Sequence, residues 1–295
     1  MCHPPVAIIG LGLMGEVYAT RLIAAGIPVT GTDIDPARRA RLAEIGGTPA
    51  DTVAAALARR PRCILLAVFN TDQVEDLVER QILHALGDNS NAIVVCTTTA
   101  DPDRIAALAQ RVETRGIRFL DVPVSGTSDQ VRRGDGVALI GGDADIAAKL
   151  SDIFDALFAR RFLIGKVGDG GRAKLAVNLI LGLNRLALAE GLVFAERLGL
   201  DPAAFLQVAK GSASYSQVME TKGPKMVRRD FTPEGRVKQT LKDCHLMLDQ
   251  ARAAGQTLSM LEVHAGVLEA CVQAGEAEMD NSAIINEVRR RGIKG

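Results

Sequence analysis

The stretch that most restricts the fold is a glycine-containing segment near the start of the chain, IIGLGLMGEVYATRL. The aliphatic run Val6–Ile9 is typical of a strand buried on both faces, and residues 16–25 have the composition of a helix. Gly10, Gly12 and Gly15 therefore occupy the turn between them. A strand, a glycine turn and a helix in this order predict a cradle for phosphate groups.

Asp33 stands at the end of the next predicted strand, Pro28–Ile34, about 20 residues beyond the glycine turn. A carboxylate at this distance can accept hydrogen bonds from the ribose hydroxyls of a dinucleotide, and it repels a 2′-phosphate. The predicted cofactor-binding set also includes Leu13 and Met14, at the positive end of the helix. We expect NAD as the cofactor, with NADP as the alternative.

Three arginines just beyond this strand favour the alternative. Arg38, Arg39 and Arg41 could pair with a 2′-phosphate. They also fit a solvated helix face that follows Asp35 as the N-cap and Pro36 as the first helical residue. We prefer this second interpretation and therefore keep NAD.

The first half of the chain alternates short aliphatic runs with helical segments. This order predicts a doubly wound, mainly parallel α/β sheet, a Rossmann domain over residues 1–164. After the first two, the predicted strands are Cys63–Val68, Ala92–Thr98, Arg118–Val124 and Gly136–Gly142.

From Gly165 onward the chain is rich in Ala and Leu and contains no further β-branched run. We expect an all-helical domain over residues 165–295, entered by one long, buried interdomain helix at Arg172–Leu198. Polar residues interrupt this helix well before the roughly 18 apolar residues that a membrane span requires, namely Asn178, Asn184, Arg185, Glu190 and Glu196. We therefore expect no membrane partner.

Charge and cysteine content restrict the function classes further. Lys plus Arg and Asp plus Glu are both 35, so no net charge favours nucleic acid or an anionic membrane. The five cysteines and four histidines are scattered and include no C-x-x-C pair, which predicts buried reduced thiols and no metal site. The N-terminus lacks a charged region followed by an apolar core. We expect a soluble, cytoplasmic protein with a small ligand.

Two further stretches contain candidate chemistry. Ser125, Gly126 and Thr127 follow a predicted strand where open α/β sheets bind ligands, so they could hold a carboxylate or form a plain turn. Lys174 and Asn178 are four residues apart and share one helix face. Burial would lower the pKa of such a lysine towards the range useful for proton transfer, whereas a lysine that reaches the surface would be structural. Spacing alone leaves both interpretations open.

Four segments resemble, in this order and spacing, the signatures of the β-hydroxyacid dehydrogenase family: IIGLGLMGEVYATRL, DVPVSGT, GDGGRAKLAVN and LKDCHLML. The similarity covers essentially the whole chain. It implies an NAD(P)-dependent oxidoreductase that interconverts a small 3-hydroxy acid and its semialdehyde or 3-oxo acid, with a small carboxylate as substrate. Lys174 matches the family's catalytic lysine, and Asn178 matches the asparagine that orients the substrate beside it.

The resemblance implies roles for other residues too. Ser125, Gly126 and Thr127 match the substrate-carboxylate loop, although Thr127 replaces its second glycine. Contacts to the cofactor are implied for Thr99, Lys242 and the pair Val68-Phe69. The chain departs from the family at Phe69-Asn70, where a Pro-Thr pair is usual, and at Val177, which replaces the first of two asparagines. These departures leave the substrate unassigned.

Two other functions remain open. An imine reductase would share the architecture but usually lacks the lysine, and a catalytically silent dinucleotide-binding protein would keep the glycine turn. The apolar segment LSMLEVHAGVLEACVQAGEAEMDNSAIINEV and the family resemblance also predict a homodimer or homotetramer.

Overall fold

The computed structural model describes residues 5–87 and 92–292. The chain divides into two compact units, Met1–Lys174 and Leu175–Gly295. The division falls inside the long helix, whereas the sequence places the predicted boundary before it, at residue 164.

The first unit is built on one sheet. Its strands, in the described residues, are β1 (Val6–Ile9), β2 (Val29–Thr32), β3 (Thr48–Pro49), β4 (Cys63–Leu66), β5 (Ile93–Cys96), β6 (Arg118–Asp121), β7 (Val124–Ser125), β8 (Val137–Gly141) and β9 (Arg160–Gly165). Their order is β3-β2-β1-β4-β5-β6-β8-β7, with β9 paired to β8. The strands from β3 to β6 are parallel, and β8 runs antiparallel to β6 and β7. The predicted doubly wound α/β fold is confirmed.

Alternate residues of the central strands pack into two separate cores. In β1, Val6 and Ile8 face one core, and Ala7 and Ile9 face the other. This is why these runs are continuously aliphatic, since a parallel sheet with helices on both faces leaves neither face to water.

Helices cover the sheet between the strands: α1 (Leu13–Ala24), α2 (Pro36–Glu44), α3 (Val53–Leu57), α4 (Thr71–Asp76), α5 (Leu83–Leu86), α6 (Pro102–Glu113), α7 (Ser128–Arg132), α8 (Ala144–Lys149) and α9 (Ser151–Leu157), with a π-helical turn at Leu77–Ile82. Asp35 caps α2 by accepting the N–H of Ala37, and Pro36 is its first residue, as predicted.

The second unit consists of helices: α10 (Asp169–Arg197), which begins in the first unit, α11 (Pro202–Lys210), α12 (Gln217–Thr221), α13 (Gly223–Arg228), α14 (Val237–Ala253), α15 (Ser259–Gln273), a 3₁₀ turn (Asn281–Ala283) and α16 (Ile284–Arg290). The predicted all-helical domain and its long first helix are confirmed. Within the described residues, α10 is the helix that is long and apolar enough to cross a membrane by length and composition alone. Its Leu186, Ala189 and Leu192 lie in the core of this unit, and core helices pass the same test.

The predicted strand Arg118–Val124 is two strands, β6 and β7. Pro123 stands between them and has no N–H for the ladder, although its carbonyl oxygen still accepts the N–H of Leu139 at 3.1 Å. The break leaves Asp121 as the last residue of β6, and Ser125 at the end of β7.

Candidate active site

The glycine turn packs tightly between β1 and α1. Gly10 has a φ of +93°, and a Cβ on it would lie 2.6 Å from the carbonyl oxygen of Ala67. A Cβ on Gly15 would lie 2.0 Å from the carbonyl oxygen of Gly10. A side chain at position 10 would therefore push the turn away from the loop after β4, and a side chain at position 15 would push α1 away from the turn.

The turn lies where the order of the strands reverses. The chain continues from β1 to β2 on one side, and β4 returns to pair with β1 on the other. Gly12 is the N-cap of α1, so Leu13 and Met14 begin the helix with N–H groups that the helix itself does not satisfy. A bare helix N-terminus at the reversal point fits the pyrophosphate of a dinucleotide.

The carboxylate of Asp33 is held beside this turn. Its side chain is only 5% exposed. Oδ2 accepts the N–H of Leu11 at 2.7 Å, and Oδ1 accepts the N–H of Asp35 at 2.9 Å. Nη1 of Arg38 lies 3.3 Å from Oδ2. The glycine turn and the residue predicted to bind ribose are thus tied together through the backbone.

The three arginines beyond Asp33 differ in role. Arg39 donates from Nη1 to the carbonyl oxygen of Asp33 at 2.6 Å, and Arg41 pairs with surface glutamates. Arg38 instead lies against the glycine turn, with Nη1 only 3.6 Å from the position of a Cβ on Gly12. A cavity of about 180 Å³ opens beside Arg38 and Arg41. Arg41 therefore fits the predicted solvated helix face better than Arg38 does.

The loops after β4 and β5 lie at the same carboxyl edge of the sheet. Oγ1 of Thr98 accepts the N–H of Val68 at 3.2 Å and donates to its carbonyl oxygen at 3.0 Å. Phe69 donates its N–H to Oε1 of Gln73 at 2.8 Å, and its side chain stays partly exposed. Thr99 follows Thr98 and is half-buried. Of these residues Val68 lies beside the glycine turn, because its Cγ1 is 3.1 Å from the position of a Cβ on Gly10. Cofactor contacts of Phe69 and Thr99 stay predictions.

The Ser125–Thr127 loop has a specific reason for a threonine. Thr127 is the N-cap of α7, where its Oγ1 accepts the N–H of Gln130 at 3.2 Å. Gln130 returns the bond, because its Oε1 accepts the N–H of Thr127 at 2.8 Å. Gly126 has a φ of +139°, a conformation that favours glycine. The donors that the loop can offer a carboxylate are thus reduced by one N–H.

Asp121, at the end of β6, is not among the predicted site residues. It is 2% exposed, and its Oδ2 accepts the N–H of Gly171 in the first turn of α10 at 2.7 Å. Burial raises the pKa of this carboxyl to about 7, against the effects of the Gly171 and Gly168 N–H groups and of the Arg172 charge. Its position at the carboxyl end of a strand was the available signal.

Lys174 lies in the second turn of α10 and is 7% exposed. Burial of a lysine is costly unless the side chain has a role. Its side chain is therefore largely shielded from solvent, as are the side chains of Lys222 and Lys225, which pair with carboxylates. A catalytic role for Lys174 stays a prediction.

In the second unit, two predicted site residues share one partner. Asn178 donates from Nδ2 to Oδ2 of Asp243 at 2.9 Å. Nζ of Lys242 lies 3.0 Å from Oδ1 of the same carboxylate, so the two side chains form an ion pair. Within the described residues, no donor is aligned for a hydrogen bond to this Oδ1 atom. Asp243 is buried and was also missed, although it directly follows Lys242 in the LKD motif.

The thiols are unsuited to chemistry. Cys63, Cys96, Cys244 and Cys271 are buried thiols, as predicted, whereas Cys2 lies outside the described residues. Burial raises the pKa of Cys63, Cys244 and Cys271 to about 12, so they stay protonated. In residues 5–87 and 92–292, no group of three or more His, Cys, Asp or Glu could hold a metal ion.

Comparison with known proteins agrees with this geometry. Residues 5–165 match the family model for the NAD binding domain of 6-phosphogluconate dehydrogenase, and residues 168–288 match that for NAD-binding of NADP-dependent 3-hydroxyisobutyrate dehydrogenase. The 2-hydroxy-3-oxopropionate reductase of Escherichia coli is 29% identical over 95% of both chains. The L-threonate dehydrogenase of Cupriavidus necator is 29% identical over 95% of this chain and 94% of its own.

A solved structure, the 3-hydroxyisobutyrate dehydrogenase from Salmonella typhimurium, superposes with a TM-score of 0.87 at 25% identity, over 96% of this chain and 99% of that one. The two family models together span almost all of the described residues, and the relatives match at nearly full length. The chain therefore belongs to the β-hydroxyacid dehydrogenase family of NAD(P)-dependent oxidoreductases.

Proposed function

We propose that this chain interconverts a small 3-hydroxy acid and its semialdehyde or 3-oxo acid, with Lys174 as the general acid and base. The observation that carries the proposal is the burial of Lys174 on α10, one turn before Asn178. When bound, the nicotinamide supplies the hydride acceptor for oxidation or the hydride donor for reduction.

In oxidation, the neutral amine of Lys174 takes the proton of the substrate's hydroxyl group. In reduction, its ammonium form returns that proton to the new hydroxyl. One N–H of the Asn178 amide is fixed by Asp243, which leaves Oδ1 and the second N–H of Asn178 to orient the hydroxyl.

The Ser125–Thr127 loop holds the substrate carboxylate in this proposal. The hydroxyls of Ser125 and Thr127 and the backbone of Gly126 supply the donors, while Gln130 occupies the N–H of Thr127. Gln130→Ala would release this N–H for the carboxylate. We expect it to lower KM for the acid severalfold at nearly constant kcat, and an unchanged KM would place the carboxylate elsewhere.

The site and the relatives both support a substrate class. The names of the relatives mention 2-hydroxy-3-oxopropionate, L-threonate and 3-hydroxyisobutyrate, all small hydroxy or oxo acids. We therefore propose a short-chain 3-hydroxy acid for this chain. The test is a panel of such acids with NAD and NADP in parallel, read by the absorbance of the reduced nicotinamide.

The panel also separates the other functions. Turnover of 3-hydroxy acids that Lys174→Ala abolishes supports the proposal. Reduction of cyclic imines in the absence of any hydroxy acid activity would instead identify an imine reductase. Binding of the dinucleotide without turnover of either substrate class would indicate a silent dinucleotide-binding protein.

We further propose that the enzyme is a cytoplasmic homodimer or homotetramer whose copies meet through the helical unit. Most aliphatic side chains of residues 258–288 are used in the core of that unit, including Leu261, Leu268 and Ile284. Met260 and Val263 remain more than half exposed on α15 and are available to a second copy. Sedimentation that finds only a 31.3 kDa species at micromolar concentration would contradict this part of the proposal.

A further inference from the structure

The first turn of α10 touches the ends of two strands with no side chain between them. A Cβ on Gly170 would lie 2.6 Å from the carbonyl oxygens of both Asp121 and Leu139. A Cβ on Gly141 would lie 2.7 Å from the backbone nitrogen of Gly170. The helix therefore begins in direct backbone contact with β6 and β8.

The cap of this helix differs from the caps of its neighbours. Asp35, Asp101 and Asp143 each stand directly before the helix that they cap. Asp121 reaches the N–H of Gly171 from a strand 50 positions earlier in the chain. A local cap stabilises a helix end wherever that end lies, whereas this carboxylate ties the helix to one place and one rotation on the sheet.

Lys174 follows the capped residue by three positions. At 1.5 Å per residue the two are about 4.5 Å apart along the helix axis, less than one turn. Any rotation of the first turn about Gly171 is therefore transmitted almost directly to the lysine. Displacement of a reacting group by about 1 Å can cost about 10²-fold in rate.

We propose that Asp121 is a positioning residue for Lys174: its carboxylate, by holding the N–H of Gly171, sets the place from which the lysine amine reaches the substrate. The proposal rests on the function proposed above for Lys174. It extends that function to a buried residue at the end of β6.

The test compares Asp121→Ala with Asp121→Asn. The alanine leaves the N–H of Gly171 without its acceptor, so we expect kcat to fall about 10- to 100-fold while KM for the dinucleotide changes less than about threefold. The asparagine keeps an oxygen acceptor of the same reach, and we expect it to restore kcat to within about fivefold of wild type.

The position of the lysine is read independently by NMR of the protein labelled with ¹³C at the lysine ε-carbons. The Lys174 signal, identified by its loss in Lys174→Ala, should move in Asp121→Ala and return in Asp121→Asn.

Asp143→Ala is the matched control, because it removes the cap of α8 in the same unit, where Asp143 accepts the N–H groups of Asp145 and Ile146. We expect it to lower Tm by a few degrees without changing kcat or the Lys174 signal. Should Asp121→Ala fail to fold, Asp121→Ser, whose oxygen is one bond too short, is expected to show the same changes at smaller size.

Wild-type kcat and an unmoved Lys174 signal in Asp121→Ala, or in Asp121→Ser if the alanine variant does not fold, would overturn the proposal. A loss of kcat in Asp143→Ala equal to that in Asp121→Ala would also overturn it, since the effect would then be general destabilisation. If the proposed function itself fails, Lys174→Ala and wild type will not differ in turnover, and the NMR signal still decides whether Asp121 positions the lysine.

Discussion

Replacement of Asp33 by alanine should change the preference between NAD and NADP. In the wild type we expect NAD to be preferred, because the Asp33 carboxylate, the predicted ribose ligand, is held beside the glycine turn by the N–H groups of Leu11 and Asp35. A hydrogen bond to a charged group contributes about 1.5–3 kcal/mol, so its loss should weaken NAD about tenfold or more. Removal of a like charge roughly 5 Å from a 2′-phosphate relieves up to about 3 kcal/mol at an effective dielectric constant of about 20, less after screening by solvent.

These two effects act in the same direction on the ratio of the two cofactors. We expect Asp33→Ala to shift the ratio of kcat/KM for NAD over that for NADP by about 100-fold towards NADP. The double variant Asp33→Ala with Arg38→Ala should prefer NADP less strongly than Asp33→Ala alone. Without Asp33, its partner, Arg38 is free to pair with the 2′-phosphate of NADP, and it borders a cavity that leaves it room to turn. Steady-state rates of each variant with both cofactors measure the ratio directly.

Asp35→Ala is the matched control for this prediction. It removes the cap of α2 and a second partner of Arg38 but leaves the carboxylate of Asp33 in place. We expect a loss of about 1 kcal/mol in stability and an unchanged cofactor ratio. A wild type that already prefers NADP would refute the reasoning and assign the 2′-phosphate to Arg38 or Arg39. An Asp33→Ala variant within threefold of the wild-type ratio would refute the role of Asp33.

Two further predictions concern the buried carboxylates. Asp243→Ala removes the shared partner of Asn178 and Lys242, so KM for the cofactor should rise and kcat should fall, each about tenfold, in steady-state assays. For Asp121, burial raises the folded pKa to about 7 from 3.8, with the Arg172 charge opposing and the Asp169 charge adding to the rise. The contribution of the protonated carboxyl to the free energy of unfolding is therefore full below about pH 4 and is lost as the pH rises through 7. Between about pH 5 and pH 8, the free energy of unfolding of the wild type, measured with urea, should fall by about 3 kcal/mol relative to that of Asp121→Asn.

The sequence predicts the fold well where local patterns coincide with long-range requirements. The β1 residues Val6–Ile9 are aliphatic because both faces of the strand are covered. Gly10 and Gly15 are required because a Cβ on either would lie only 2.6 or 2.0 Å from a backbone carbonyl oxygen. The strand β9 was not predicted. Its apolar run, Phe162–Ile164, is only three residues long and does not alternate with polar residues, so the sequence carries neither pattern that identifies a strand.

The site is predicted only in part, for a different reason. Lys174 and Asn178 share a helix face by spacing alone, and the family resemblance gives them roles that remain proposals. Asp121 and Asp243 act through contacts 50 and 65 positions away in sequence, which no local pattern encodes. The capping box of Thr127 and Gln130 is a local pattern, yet the departure from the family at Thr127 is explained only once both bonds are seen.

The most direct test of the central proposal is the turnover of Lys174→Ala on the best substrate of the wild type. If the lysine amine carries the proton, kcat should fall by about 10²–10⁴, while binding of NADH, measured by fluorescence, stays nearly unchanged. Lys174→Arg should not restore the rate, since a guanidinium with a pKa above about 12 stays protonated at working pH. Wild-type turnover in Lys174→Ala would contradict the proposal and remove this lysine from the reaction.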